Sequence, residues 1–506
     1  MMFICPCVCL FQINKSGVLW KPCQFLTKYG ANSSGKVLNI KNIRRTSYIR
    51  QKWREYQKQE LVMRMMSYGI EDKPRLAVAF PLAFQHVLSA FTGQIAVGML
   101  LAMGFGLNVK ETALLIQCAL FITGIATIIQ SFGIGKHIGA RLPIVSGGSF
   151  TLITPMVVAA NNPNIGIGGA FGAALVGSGV LFIFGPIAIR YLHKYFTPTV
   201  TGAVVLTVGI CIGATAFGNF NVESETAMTE LAVAVMVVVV IVLLNFFGKG
   251  LVKQCCILIG MVIGYVVAAA LGMVDFSSIG EASWFSMVKP FAWGVNFNVG
   301  AILTICAVHI GTLMEMVGDT TGLVTAVSNR LPTSEELSRT IRGGGITGMF
   351  ASAFNGAPVI TGSANVGIVA MTGVGSRFVT GLGGIIFLAF AVFPKLAQLL
   401  ALIPNCVMAG AVLVMCGQIS ASGLRVISMG DFTERNTTIL AIALAIGIGG
   451  NFGLANLAFL PSTVTTIFTG IPGTALVALV LNMILPKTTE DEVAGVKLEE
   501  EIPAVQ

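Results

Sequence analysis

The chain has 506 residues, of which 55% are hydrophobic and 10% charged, whereas a soluble domain carries about 25% charged residues. A soluble core of this size would need a charged coat that the sequence does not supply. That excludes a cytosolic globular enzyme, a nucleic-acid binder and a disordered scaffold. The 59 glycines suit helices packed backbone to backbone in lipid, and the class that remains is an all-α polytopic membrane protein.

The net charge of +9 sits at one end. Residues 1–73 hold 13 Lys/Arg against 4 Asp/Glu, and residues 74–506 hold 18 of each sign. Residues 1–74 read as a basic extension, either disordered or lying ahead of a translation start at Met63, Met65 or Met66. Its functional reading is a basic arm on anionic lipid. The apolar run Met1 to Phe11 is not preceded by the basic residues of a secretory signal. Of the 11 cysteines, Cys5, Cys7, Cys9 and Cys23 fall in the extension. Cys118, Cys211, Cys255, Cys256, Cys306, Cys406 and Cys416 are scattered through apolar segments. No spacing pairs them with His as a zinc site requires, so they are expected as small buried hydrophobes, with no metal and no cofactor.

A crossing helix needs about 20 apolar residues. In chain order the expected spans are 78–104, 111–133, 141–160, 166–188, 198–218, 227–247, 254–273, 298–327, 344–356, 357–374, 378–394, 398–418, 436–456 and 462–485, which makes 14. The segments 141–160, 344–356 and 357–374 are weaker, being interrupted by Gly, Ser, Thr, Asn or Pro. With the N-terminus inside, the inner loops carry 12 Lys/Arg, among them Arg330, Arg339 and Arg342, and the outer loops carry 3. The positive-inside rule thus expects both termini in the cytoplasm, residues 486–506 being a cytoplasmic tail.

Residues 143–148 read Pro-Ile-Val-Ser-Gly-Gly, and residues 358–363 read Pro-Val-Ile-Thr-Gly-Ser. The two hexapeptides lie in the third and tenth spans. Seven spans separate them, and an odd number per half forces the second half to insert upside down. The expected halves are 75–273 and 298–485. Pro and β-branched residues favour extended backbone, which the Gly pairs end. Half-helices are then expected to begin near Ser149 and near Asn365, with Asn365 standing where an N-cap would. Their facing N-termini suit an anionic or carbonyl-rich solute.

Two acids interrupt an otherwise apolar span, Glu315 and Asp319. Their i, i+4 spacing puts both on one helix face, where a carboxylate costs about 2.5–3.5 kcal/mol at the bilayer centre. Burial without a cation disfavours the charged form of a carboxyl, which is what a proton-carrying group needs. His86 in the first span and His309 in the eighth are each as readily a satisfied buried polar group as a functional one. There is no Walker A sequence, no HExxH and no nucleophile with a partner base, so no enzyme chemistry is expected.

Together these residues resemble the nucleobase–ascorbate transporters, also called nucleobase–cation symporters type two, over about residues 75–485. Gln85-His86 matches the family's Gln-His. Glu315-Met-Val-Gly-Asp319 resembles the Glu-x-x-Gly-Asp of the xanthine and uric acid permeases, and Asn365-Val-Gly-Ile-Val-Ala-Met-Thr-Gly373 fits the family signature. The resemblance implies 14 spans in two inverted seven-span repeats, with short extended stretches and half-helices in spans 3 and 10. It also implies core and gate domains, a homodimer, and multi-pass placement in the plasma (inner) membrane.

The function implied is import of a nucleobase, of purine type or uracil, by proton or sodium symport. Glu315 takes the position that hydrogen-bonds the base, and the backbone at Phe150 and Ser363 contacts it, with Ser149, Ala364 and Asn365 beside them. Glu315, Asp319 and His86 are the candidates for proton coupling. Two positions depart from the pattern. Ala364 stands where the signature has Gln or Glu, and Thr347 stands where the purine branch has Asp. Gln94, Ser363 or water is expected to supply the hydrogen bond that the Ala364 side chain cannot make. A sulfate- or bicarbonate-type anion transporter would share the fold, but residues 142–189 and 343–376 contain no Lys or Arg.

Overall fold

The computed structural model describes residues 12–14, 17–19, 67–192, 195–217, 226–280, 283–452 and 468–486. The chain divides into two units at Arg64 and Met65. In the first, β1 (Gln12–Asn14) and β2 (Gly17–Leu19) form an antiparallel hairpin with Gln12 opposite Leu19. Cys5, Cys7, Cys9 and Cys23 lie outside the described residues.

The second unit is helical. Its first half contains α1 (Leu76–Gly104), α2 (Val109–Phe132), β3 (Ser146–Gly148), a 3-10 turn (Phe150–Leu152), α3 (Ile153–Ala160), α4 (Gly166–Leu192), α5 (Pro198–Phe217), α6 (Ala227–Phe247), α7 (Leu251–Gln254) and α8 (Cys256–Ala270). The second contains α9 (Val299–Ser328), α10 (Ser334–Ala353), β4 (Val359–Thr361), α11 (Ser363–Thr372), α12 (Arg377–Ala391), α13 (Pro394–Ala401), α14 (Asn405–Ile427), α15 (Glu434–Phe452) and α16 (Gly470–Ile484). Among the described residues, α1, α2, α4, α6, α9 and α14 are long and apolar enough to cross a membrane. The bent pair α12–α13 makes a seventh if it counts as one span.

Local chemistry explains where these helices start. Asn108 opens α2 with a capping box, its side chain accepting the Glu111 N–H while the Glu111 carboxylate accepts the Asn108 N–H. Thr333 and Glu336 do the same for α10. That box moves the start of α10 well ahead of the expected 344. Arg339 and Arg342, expected in a loop, are therefore helical; a window that weighs only apolarity misses a helix whose first half is polar. The expected span 398–418 is also displaced. Pro394, which constrains the residue before it, starts α13 at an 83° bend to α12, and Pro404 is the N-cap of α14. Residues 453–467, with part of the expected break between the last two spans, lie outside the described residues.

The most extensive helix pairings are α5 with α14, α4 with α10, and α2 with α12. A Cβ on Gly124 of α2 would stand 2.8 Å from the Gly384 carbonyl oxygen of α12, and one on Gly384 would stand 2.8 Å from that of Gly124. Glycine at both positions is what lets these backbones touch. On α6 the large apolar side chains Leu231, Val235, Val239, Leu243 and Phe246 are exposed, a surface that needs lipid rather than water around it. The described cysteines are all free, and all are buried except the half-buried Cys306.

Candidate functional site

The two hexapeptides pair with each other. β3 and β4 run antiparallel, with Ser146 opposite Thr361, Gly147 opposite Ile360 and Gly148 opposite Val359. The ladder continues at both ends, where Ser149 N–H donates to the Pro358 carbonyl (2.9 Å) and Gly362 N–H to that of Val145 (3.0 Å). Ser146 and Thr361 are the same position of the repeated motif, so the local two-fold axis of the ladder passes where the sequence copy meets itself. Extended backbone inside an apolar helical unit is tolerated because the two strands satisfy each other.

Each strand then runs into a helix. Ser149 caps the turn Phe150–Leu152 that leads into α3, and Gly362 caps α11; neither cap is closed by a side-chain hydrogen bond. The Ser149 hydroxyl is buried without a partner among the described residues. The first N–H groups of a helix have no partner within it, so Phe150 and Ser363, both half-buried, stand where backbone donors are open. Asn365 does not cap α11. The helix starts two residues earlier, at Ser363, and the Asn365 side chain is used in tertiary contacts instead. Ala364 lies in the first turn of α11, and its side chain lies outside what is described.

Two long helices grip this crossing from their side chains. On α9, Glu315 (3% exposed) accepts a hydrogen bond from the Thr151 hydroxyl (2.8 Å), just beyond β3. One turn on, Asp319 (6% exposed) accepts one from the Thr361 hydroxyl (2.9 Å), in β4. Neither carboxylate is paired with Lys or Arg among the described residues, whose ion pairs are Arg330–Glu336 and Arg377–Glu71. On α1, His86 (1% exposed) meets Asn365 at 3.0 Å. Asn365 spends its amide N–H on the Pro143 carbonyl (2.6 Å), so its oxygen faces His86, and the His86 Nδ1–H is the donor. Two turns further, the Gln94 oxygen accepts from the Thr123 hydroxyl (2.8 Å) and from Gly148 N–H (3.0 Å).

The structure thus brings Glu315, Asp319 and His86, singled out in the sequence, to the two broken segments, together with Thr151, Thr361 and Thr123, which the sequence reading does not name. The signal for Thr361 was available, since it adjoins Gly362 within the repeated motif, whereas Thr151 lies beyond the hexapeptide. Nothing in the sequence singles out Thr123. Gln94 is engaged with β3, the strand opposite the one that leads to Ala364. Thr347 donates to the Gly343 and Gly344 carbonyls of its own helix, so the position brings no free acid. His309 has both ring nitrogens occupied, by the Ile305 carbonyl (2.9 Å) and by Ser178 of α4 (3.4 Å), and reads as a packing residue.

A broken-helix crossing gripped by paired acids on a neighbouring helix is a transporter arrangement, and a sequence profile described as "Permease family" matches residues 78–456. The chain belongs to that family, the nucleobase–ascorbate transporters. This permease is 34% identical to the uric acid transporter of Escherichia coli over 411 residues, covering 79% of this chain and 85% of the relative. It is 33% identical to the xanthine permease of Bacillus subtilis over 410 residues, covering 80% and 92%. Among solved structures, the transmembrane domain of a cyanobacterial bicarbonate transporter is similar in fold (TM-score 0.51, 15% identity, 82% of this chain and 99% of that one). So is the murine solute carrier 26 family member A9 anion transporter in its inward-facing state (TM-score 0.55, 10% identity, 91% and 74%). The permease is thus a multi-pass membrane protein whose fold is shared with anion transporters.

Proposed function

We propose that the chain imports a nucleobase, preferably a purine of the xanthine or uric acid type, by proton symport through alternating access. The observation that carries this reading is Glu315. It is a buried carboxylate beside the β3–β4 crossing, hydrogen-bonded to a neutral hydroxyl and paired with no cation among the described residues. Such a group can accept an N–H edge of a base, while the open backbone donors at Phe150 and Ser363, beside Ser149, Ala364 and Asn365, meet its carbonyls. Protonation of Glu315 or Asp319 favours the loaded state, while His86, the third candidate for coupling, is held on Asn365 and positions it. The names of the relatives, a uric acid transporter and a xanthine permease, point to the same substrate class. The shared fold with anion transporters does not favour an anion here, because two acids stand at the crossing where such a cargo would want a cation.

In this reading the chain forms 14 spans in two inverted repeats. α1–α4 with α9–α13 form a core that moves against a gate of α5–α8 with α14–α16, in a homodimer in the plasma (inner) membrane with both termini cytoplasmic. The self-pairing of the repeated motif supports the inversion. So do the helix pairs α2–α12 and α4–α10, which exchange places under it. The test is uptake of radiolabelled xanthine, uric acid, uracil, guanine and adenine by the full chain in cells or proteoliposomes, at acidic and neutral external pH, with and without sodium and a protonophore. Accumulation that a protonophore collapses and sodium removal spares is the expected result. Binding without accumulation, or accumulation of sulfate or bicarbonate instead, overturns the proposal.

A further inference from the structure

We propose that Gln94 is a positioning residue for the site, holding β3 so that the backbone at Ser149 and Phe150 is presented to the solute. The inference deepens the transport reading and rests on it. Gln94 is a buried amide in the middle of an apolar helix, a costly placement unless its polar atoms are used. Its oxygen takes two donors at once, the Thr123 hydroxyl of α2 and the Gly148 N–H of β3. Gly148 N–H thus bonds a side chain on α1, one residue before the Ser149 cap and two before Phe150.

The other half of the amide is fitted just as closely. A Cβ built on Gly147 would stand 2.0 Å from Gln94 Nε2 and 2.8 Å from its carbonyl carbon and oxygen. Real Cβ contacts do not approach that distance, so the glycine of the motif is what admits the amide. Gln94 and Gly147 form a matched pair across α1 and β3. His86, two turns earlier on α1 and about 12 Å away along its axis, holds Asn365 of α11. One rigid helix therefore sets the spacing between the two interrupted segments.

A double-mutant cycle on the thermal unfolding of the purified full chain tests the contact without reference to transport. Gly147→Ala alone is expected to lower the Tm by several degrees, and adding Gln94→Ala is expected to recover a large part of that decrease. Additive effects overturn the pairing. Uptake kinetics then test the positioning. Gln94→Leu strips the acceptor from a buried N–H and is expected to raise the KM for xanthine or uric acid about ten-fold, with the maximal rate held within about two-fold. Gln94→Glu, which keeps the acceptor oxygen, is expected to stay within about three-fold of the parent KM. An unchanged KM in Gln94→Leu, or equal losses in both variants, overturns the positioning role. Failure of the parent chain to transport either base, with coupling intact in the cycle, counts against the proposed function and leaves the contact standing.

Discussion

α1 and α9 do comparable work with opposite chemistry. Each is a long, continuous helix that reaches both interrupted segments with two polar side chains, two turns apart on α1 and one turn apart on α9. α1 does so with a neutral amide and an imidazole, held on Gly148 and Asn365. α9 does so with two carboxylates, held on the hydroxyls of Thr151 and Thr361. A neutral hydrogen bond to backbone or amide fixes geometry and has little to gain by changing. Carboxylates held by neutral hydroxyls, Thr151 on Glu315 and Thr361 and Ser363 on Asp319, keep other lone pairs for a solute or a proton. The contrast assigns rigidity to α1 and exchangeable chemistry to α9.

The largest effect should come from the acids. Glu315→Gln is expected to reduce accumulation of base by about 100-fold, the scale of losing a charged hydrogen bond in a dry site. Uptake and exchange measured side by side divide its two roles. If only accumulation fails, the group couples protons; if exchange fails too, it binds the base. Parent-level uptake would remove α9 from the site. Asp319→Asn keeps an acceptor for Thr361 and should cost about ten-fold less than Glu315→Gln. Equal losses would mean that the carboxylates act as one unit.

Next in size, His86→Leu should release Asn365 and raise KM about five-fold, leaving the pH dependence of uptake in place. A lost pH dependence would move His86 from positioning to coupling and erase the contrast between the helices. Ala364→Gln should narrow the range of bases that compete for uptake, because it restores an amide in the first turn of α11. An unchanged competition profile would show that this turn does not select.

The smallest effect is expected where the chain leads into α1. There Glu71 forms a two-point ion pair with Arg377 (2.9 and 2.7 Å), and the Ser376 hydroxyl donates to the Asp72 carbonyl (2.6 Å). The guanidinium of Arg377 holds the Glu71 carboxyl below its ordinary value. Its stabilising contribution is therefore complete above the unfolded carboxyl value and is lost as pH falls through the lower folded one. Glu71 is largely exposed, so the clasp is weak and salt-sensitive. Glu71→Gln should lower the Tm by about 1–2 °C at neutral pH. The difference should vanish in strong acid or high salt. A gap that persists in both would mean that the pair is not electrostatic.

Several features were legible from residue chemistry. The repeated Pro, β-branched and Gly pattern announced extended backbone, because those residues disfavour helix wherever they sit. The two acids announced a site, because lipid penalises charge regardless of fold. Other features were misread for physical reasons. Asn365 has the profile of a cap, yet a cap is a local preference worth about 1 kcal/mol, and a tertiary contact to His86 and Pro143 takes the side chain instead. The start of α10 was hidden because a capping box, rather than apolarity, begins it.

What the sequence by itself determined is the solvent and the backbone state: a chain with 10% charged residues must live in lipid, and motifs of that composition must break their helices there. What only the tertiary structure decided is which groups meet. That the motif pairs with its own copy, that Thr151 and Thr361 receive the acids, and that Gln94 fits over Gly147 all depend on contacts between residues far apart in the chain. Local composition sets what a segment can do alone, and distance across a folded interior sets what it does with its neighbours.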